Sequence, residues 1–195
     1  MKGELIPTRE ECLSLMNQSE MLNHIIDHSI QVTRVALYLA IELNKRGQNL
    51  DLHLVEAASL LHDVTKSECL KTKEDHAQTA SQLLKGLGYI RVGEIVAEHV
   101  HLTRQIDPLR VTEEEIVNYA DKRVRHHRIV SLEERFGDLM DRYGKNERAV
   151  EQMEGLKRVT VEIENKIFYI LEIDPDDILH LQGDKKLSIG DFINE

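Results

Sequence analysis

Apolar positions recur along most of this chain at steps of three and four, the spacing of one face of a helix. Between about 20 and 46, Ile25, Val32, Val35, Ala36, Leu39, Ala40 and Leu43 keep that step, predicting a long helix that Gly47 stops. The run 53–61 (HLVEAASLL) predicts a second, apolar helix. A polar connection is expected from Ser67 to Glu74, after which Asp75-His76 opens an amphipathic run with Ala80, Leu83, Leu84 and Leu87. Another helix is expected at about 91–102. There Ile95 and His99 share a side, whereas His99 and His101 project about 200° apart, so His99 faces inward and His101 outward. Capping-box spacing occurs at Thr8–Glu11, Thr112–Glu115 and Ser131–Glu134, each marking a helix start. The helix from Thr112 is expected to run on through IVNYADKRVRHHRIV, with Ile116, Tyr119, Ala120 and Val124 inward. Gly137 and Gly144 interrupt the pattern that Ser131 begins. The last long stripe, about 146–173, is carried by Val150, Met153, Leu156, Val159, Ile163, Ile167, Ile170 and Leu171 and ends at Asp174-Pro175. A stripe of that length must be covered, either by packing back on the bundle or by a homodimer surface. Strand signals are almost absent, so the expected class is all-α.

Composition narrows the picture. A chain of 195 residues can bury a sizeable core as a single domain, 1–195, and 41% hydrophobic with 31% charged residues fits a helical globular protein. The segment from Gln182 on is polar and mixed. No apolar run approaches the roughly 20 residues of a membrane span, and MKGELIPTREE has no signal-like apolar segment, so a cytoplasmic location without a membrane partner is expected. Cys12 and Cys69 are too few for a disulfide framework and lie in no CxxC pair. The formal charge of -10 argues against broad nucleic-acid binding, while Arg123, Arg125, His126, His127 and Arg128 form a local basic cluster.

Chemistry enters with Leu60-Leu61-His62-Asp63, which sets an imidazole against a carboxylate where an apolar helix ends. His28 borders the stripe of the long helix, with His24 one turn earlier, and Asp121 lies beside the buried side of a later helix. Each of these alone reads more readily as a satisfied or solvated polar residue. In order, with each member on or at the end of its own helix, they resemble the HD superfamily of metal-dependent phosphohydrolases. Their neighbours carry the resemblance too: Val32, Val35 and Ala36 after His28, Ala57-Ala58-Ser59 before the pair, Lys66 completing HDxxK, and Tyr119-Ala120 before Asp121. It covers about residues 20–135, leaving 136–181 as a helical extension and 182–195 as a tail.

The resemblance implies a helical bundle in which His28, His62, Asp63 and Asp121 bind one divalent ion, with Asp63 and Lys66 as the catalytic residues. His76 and His99 stand where family members with a second ion have further ligands, and they are candidates for that ion or for the substrate phosphate. The chain departs from the cyclic-dinucleotide branch: Val100 replaces a second histidine, Ala77 follows His76, and the Gly-Tyr-Pro signature and the HDIG glycine are missing. Mixed imidazole and carboxylate donors suit Mn, Fe, Co, Ni or Zn better than Ca or Mg alone, though Mg stays among the candidates. Such an ion polarises a phosphoryl oxygen and lowers the pKa of a bound water towards about 7. Lys66 would neutralise phosphate charge, and Arg123 and Arg125 are candidate substrate contacts. The reading is a hydrolase for a phosphorylated small molecule, a nucleotide foremost. The alternative is a non-catalytic HD-fold module that binds a nucleotide.

Overall fold

The computed structural model describes residues 5–103 and 106–183. Its elements are α1 (Arg9–Gln18), α2 (Asn23–Lys45), α3 (Leu52–Leu61), α4 (Lys66–Thr72), α5 (His76–Gly86), α6 (Ile90–Ala97) and α7 (Glu113–Lys122). A two-stranded hairpin, β1 (Val124–Arg125) and β2 (Arg128–Ile129), precedes α8 (Leu132–Tyr143), α9 (Glu147–Leu171) and a 3-10 turn, Pro175–Leu181. The chain is all-α apart from that hairpin, and among the described residues no helix is long and apolar enough to cross a membrane.

The helix starts follow their caps. Thr8 and Thr112 close full capping boxes with Glu11 and Glu115, and Ser131 accepts from the Glu134 amide. Asp51, Asp75 and Asn146 cap α3, α5 and α9 in the same way, satisfying amides that have no partner inside the helix.

Two apolar clusters flank α3. One joins the stripe of α2 to α7 and to Ile163, Ile167 and Leu171 of α9; the other joins α1, α3, α5 and α6. Every residue of α3 from Leu54 to Leu61 is buried, as expected of a helix apolar on all sides. The residues directly after Leu61 are therefore delivered into the interior. α5 and α6 cross closely at Gly93, where a Cβ would stand 2.9 Å from the Ser81 carbonyl oxygen.

Four expectations need correction. Residues 67–74 are not a plain connection, because α4 spans most of them, tied to α2 by the Leu22 amide donating to Ser67 Oγ at 3.0 Å. The helix from Thr112 stops at Lys122, and the segment expected to continue it turns back as the hairpin, with Val124 opposite Ile129 and His126 at φ +57°. α6 ends at Ala97, so His99 lies beyond it. Gly137 sits inside α8 without breaking it, whereas Gly144 does end it. The C-terminal half of the α9 stripe packs back on the bundle, with Ile163, Ile167, Phe168 and Leu171 buried. Residues 184–195, most of the polar tail, lie outside the described residues.

Candidate metal centre

His62 is the cap residue of α3, still in helical conformation, and the buried run behind it leaves His62 and Asp63 almost without solvent contact. α2 supplies His28, the last turn of α7 supplies Asp121, the first residue of α5 is His76, and His99 follows α6. His28 Nε2 lies 3.0 Å from Asp121 Oδ1, and His62 Nε2 lies 3.4 Å from Asp63 Oδ2 and 3.7 Å from Asp121 Oδ1. On the other side, His76 Nε2 and His99 Nε2 lie 3.3 and 3.6 Å from Asp63 Oδ1 and 3.2 Å from each other. His101 is exposed and outside this cluster.

The ring orientations are fixed by the backbone. His28 Nδ1 donates to the His126 carbonyl at 2.9 Å, His62 Nδ1 to the Ser59 carbonyl at 2.8 Å, and His99 Nδ1 to the Val96 carbonyl at 2.7 Å. A carbonyl can only accept, so each Nδ1 carries a proton, and in the neutral ring each Nε2 presents a bare lone pair to the cluster. His62 Nε2 and Asp63 Oδ1 are buried and make no hydrogen bond. Buried polar atoms rarely go without partners. Donor atoms sharing one divalent ion at about 2.1 Å stand about 3.0–3.5 Å apart, close to the separations here. His28, His62 and Asp63 form one group able to hold an ion and Asp63, His76 and His99 a second, with Asp63 common to both and Asp121 adjoining the first. The residues present thus fit one ion and allow two.

Charges in the cluster follow burial and neighbours. Burial opposes ionisation of Asp63, but His62 and Lys66 outweigh it and hold the carboxyl well below its ordinary range. Asp121 is likewise held low against burial by Lys122 and His28. Burial pushes His76 down to about 4 and lowers His99, so both rings are neutral at pH 7 and available as ligands. His62 moves the other way, because Asp63 and Asp121 outweigh its burial.

The centre opens to a cleft with two lobes. A smaller lobe of about 210 Å³ reaches His28 and Asp63, and a larger one of about 440 Å³ reaches His76, His99 and Asp121. Lys66, Leu70, Arg135, Arg142 and Tyr143 border both. Lys66 Nζ is 2.6 Å from Asp63 Oδ2, and the buried Lys122 Nζ donates to Asp121 at 2.9 Å and to the His99 carbonyl at 2.7 Å. A shallow depression at the end of α9 is bordered by Glu172, Asp174 and Asp177, a poor setting for an anion.

The expectation that Arg123 contacts substrate is corrected by its position. It is fully buried, and its guanidinium donates to the Val130 carbonyl, the Tyr119 hydroxyl, the Pro175 carbonyl and Glu164. Arg125 borders neither lobe and pairs with Glu134 at 3.4 Å and Asp138 at 3.1 Å. The basic groups that do face the cleft, Arg135 and Arg142, were missed. Their signal was present: with Asp138 between them they keep the three-and-four step along the helix that Ser131 begins.

No solved structure matches the chain. An uncharacterized protein of Methanocaldococcus jannaschii is 25% identical over 158 residues, covering 74% of this chain and 91% of that protein. A tRNA (cytidine(56)-2'-O)-methyltransferase of Thermoplasma volcanium is 29% identical over 100 residues, which is 51% of this chain and 28% of that enzyme. The HD domain model matches residues 25–146, which takes in all but the first two residues of α2, then α3 through α8, and every histidine and aspartate of the centre, and the chain belongs to the HD-domain family.

Proposed function

We propose that the protein is a metal-dependent phosphohydrolase acting on a phosphorylated small molecule, a nucleotide foremost. One observation carries the reading: three histidines with Nδ1 pinned by backbone carbonyls turn Nε2 onto two buried carboxylates, where His62 Nε2 and Asp63 Oδ1 have no hydrogen-bond partner. In this reading His28, His62, Asp63 and Asp121 hold a divalent ion, with His76 and His99 available to a second ion or to the phosphate. The bound ion would polarise a phosphoryl oxygen and acidify water. Asp63, buried and ionised, accepts a hydrogen bond from an attacking water and orients it. Lys66, adjacent to Asp63, places its ammonium where negative charge grows on the phosphoryl oxygens.

The test loads purified protein with Mn²⁺, Co²⁺, Ni²⁺ or Mg²⁺ and follows phosphate release from a panel of nucleotides, with metal content measured in parallel. Asp63→Asn should lower both metal content and turnover, the latter by about 10³-fold or more, because one residue serves as ligand and orienter. Nucleotide binding without turnover under every metal would favour the non-catalytic module, and full metal content with full activity in Asp63→Asn would end the assignment.

A further inference from the structure

Arg135, Asp138 and Arg142 stand three and four residues apart on α8, and both arginines border the two lobes where these meet at Lys66. Asp138 borders neither lobe. It lies behind the arginines, nearly buried, 2.9 Å from Arg142 Nη2 and 3.6 Å from Arg135 Nη1. Arg125 reaches it as well, at 3.1 Å, but has Glu134 as a second partner. Two cleft-facing guanidinium groups therefore share one carboxylate, leaving positive charge over the mouth of the centre. Arg135 Nε, moreover, is buried without a hydrogen-bond acceptor. A planar fork with an unspent donor at the mouth of a cleft is an arrangement that can take a phosphate in bidentate fashion.

Beyond the arginines the larger lobe changes character. Its far wall is Val100, Leu139, Met153 and Leu156, so the first half of α9 closes the cleft with apolar groups. Its other cations are already paired, Lys66 with Asp63 at 2.6 Å and Lys122 with Asp121 and the His99 carbonyl, and apart from Asp121 of the centre its one lining carboxylate, Glu74, is on an exposed residue. A second phosphate would meet apolar carbon there with no countercharge, which is costly. An uncharged group is accommodated, since about 440 Å³ falls within the usual range for small-molecule sites.

Resting on the phosphohydrolase reading, we propose that Arg135 and Arg142 seat the phosphate, that Asp138 is the positioning residue holding their guanidinium groups over the cleft, and that the larger lobe receives an uncharged leaving group. The substrate is then a phosphomonoester of nucleoside size and not a polyphosphate. Hydrolysis transfers the phosphoryl group to water, the P–O bond to the leaving group breaks, and that oxygen takes up a proton.

Two measurements on the metal-loaded full chain test this: calorimetric binding of inorganic phosphate, and steady-state hydrolysis of adenosine 5′-monophosphate and 5′-triphosphate. Arg142→Ala and Arg135→Ala should each weaken phosphate binding about 10- to 100-fold, the scale of a lost charged hydrogen bond. Asp138→Asn should raise KM about tenfold with a smaller change in kcat, and Asp138→Glu should recover part of it. Leu156→Trp, which fills the larger lobe, should raise KM for the monophosphate by about tenfold while leaving the phosphate Kd within about threefold. The triphosphate should have the lower kcat/KM. Unchanged phosphate affinity in both arginine variants, equal losses for phosphate and monophosphate in Leu156→Trp, or preference for the triphosphate would each overturn the proposal. A chain that hydrolyses no member of the nucleotide panel under any of the metals counts against the phosphohydrolase reading instead, while arginine-dependent phosphate binding would still uphold the anchor. Circular dichroism checks that each variant is folded, and Arg142→Lys stands in for a variant that is not.

Discussion

Replacing Arg123 by Met separates the role that sequence suggested from the one that structure gives it. The change keeps the buried stem and removes the guanidinium. Four partners then lose a donor: the Val130 carbonyl at 2.7 Å, the Tyr119 hydroxyl at 2.6 Å, the Pro175 carbonyl at 3.0 Å and Glu164 at 3.2 Å. Asp176, with its side chain 62% exposed, adds nothing that counts. Leaving one buried carbonyl unpaired costs about 1–3 kcal/mol, and breaking a buried ion pair about 3–5 kcal/mol. Because Glu164 is 17% exposed and keeps its bond from Tyr119, the lower ends apply, and the unpaired carbonyl and the broken ion pair together should cost about 4 kcal/mol. At about 2–4 °C per kcal/mol for a chain of this size, the melting midpoint should fall by roughly 8–16 °C. Thermal melts followed by circular dichroism measure this, and kcat/KM taken well below both midpoints should stay within about twofold of wild type. A midpoint within about 2 °C of wild type, combined with a tenfold loss of kcat/KM, would refute the reasoning and return Arg123 to the substrate. Arg123→Lys should recover less than half of the loss, since one ammonium cannot reach these partners at once.

The α5–α6 crossing offers a second check: Gly93→Ala puts a methyl 2.9 Å from the Ser81 carbonyl oxygen and should cost about 1–3 kcal/mol in a denaturant titration, whereas a gain in stability would contradict the close approach. Burial, with Glu56 and Glu11 nearby, pushes the Cys12 thiol up to about 12, so it should resist a thiol reagent at pH 8 until the chain unfolds. The same shift, from 9.0 to about 12, adds stability that is fully present below pH 9 and drains away as pH rises towards 12, so melts across that range should show growing alkaline lability. A chain ending before Asn146 would uncover the surfaces that meet Ile163, Ile167, Phe168 and Leu171 and should be poorly soluble by sedimentation.

The helices with long stripes were legible because a period of three and four over many turns has few other readings, as α2 and α9 illustrate. The set of His28, His62, Asp63 and Asp121 was legible as a set only through the resemblance to the HD superfamily, since each alone reads as a satisfied polar residue at the end or on the border of an apolar run. α4 was not, since its seven residues bury only Ser67 and Cys69 and it depends on a contact with α2. The hairpin was hidden because Val124 and Ile129 keep apolar spacing and His126-His127 carries neither Gly nor Asn; the turn is held by the bond from Arg123 to the Val130 carbonyl, and apart from Tyr119 the other partners of Arg123 come more than 40 residues later. His101 proved outward, but by lying past the end of α6 instead of on its far face. Arg123 and Arg125 looked equivalent because nothing local distinguishes a guanidinium that finds Glu164 from one that finds Asp138.

The hairpin bears on which sequence changes the centre can tolerate. The His28 ring is held by the carbonyl of His126, a group every amino acid possesses. Side-chain identity at 126 is therefore open to drift, with Gly and Asn the easiest replacements at φ +57°. Loop length is not open in this way. One residue added or removed between Val124 and Ile129 would move that carbonyl away and release the ring of His28, a proposed ligand nearly 100 positions earlier in the chain. Across descendants of this sequence the turn should therefore vary freely in composition and stay fixed in length, the reverse of what exposed loops usually do.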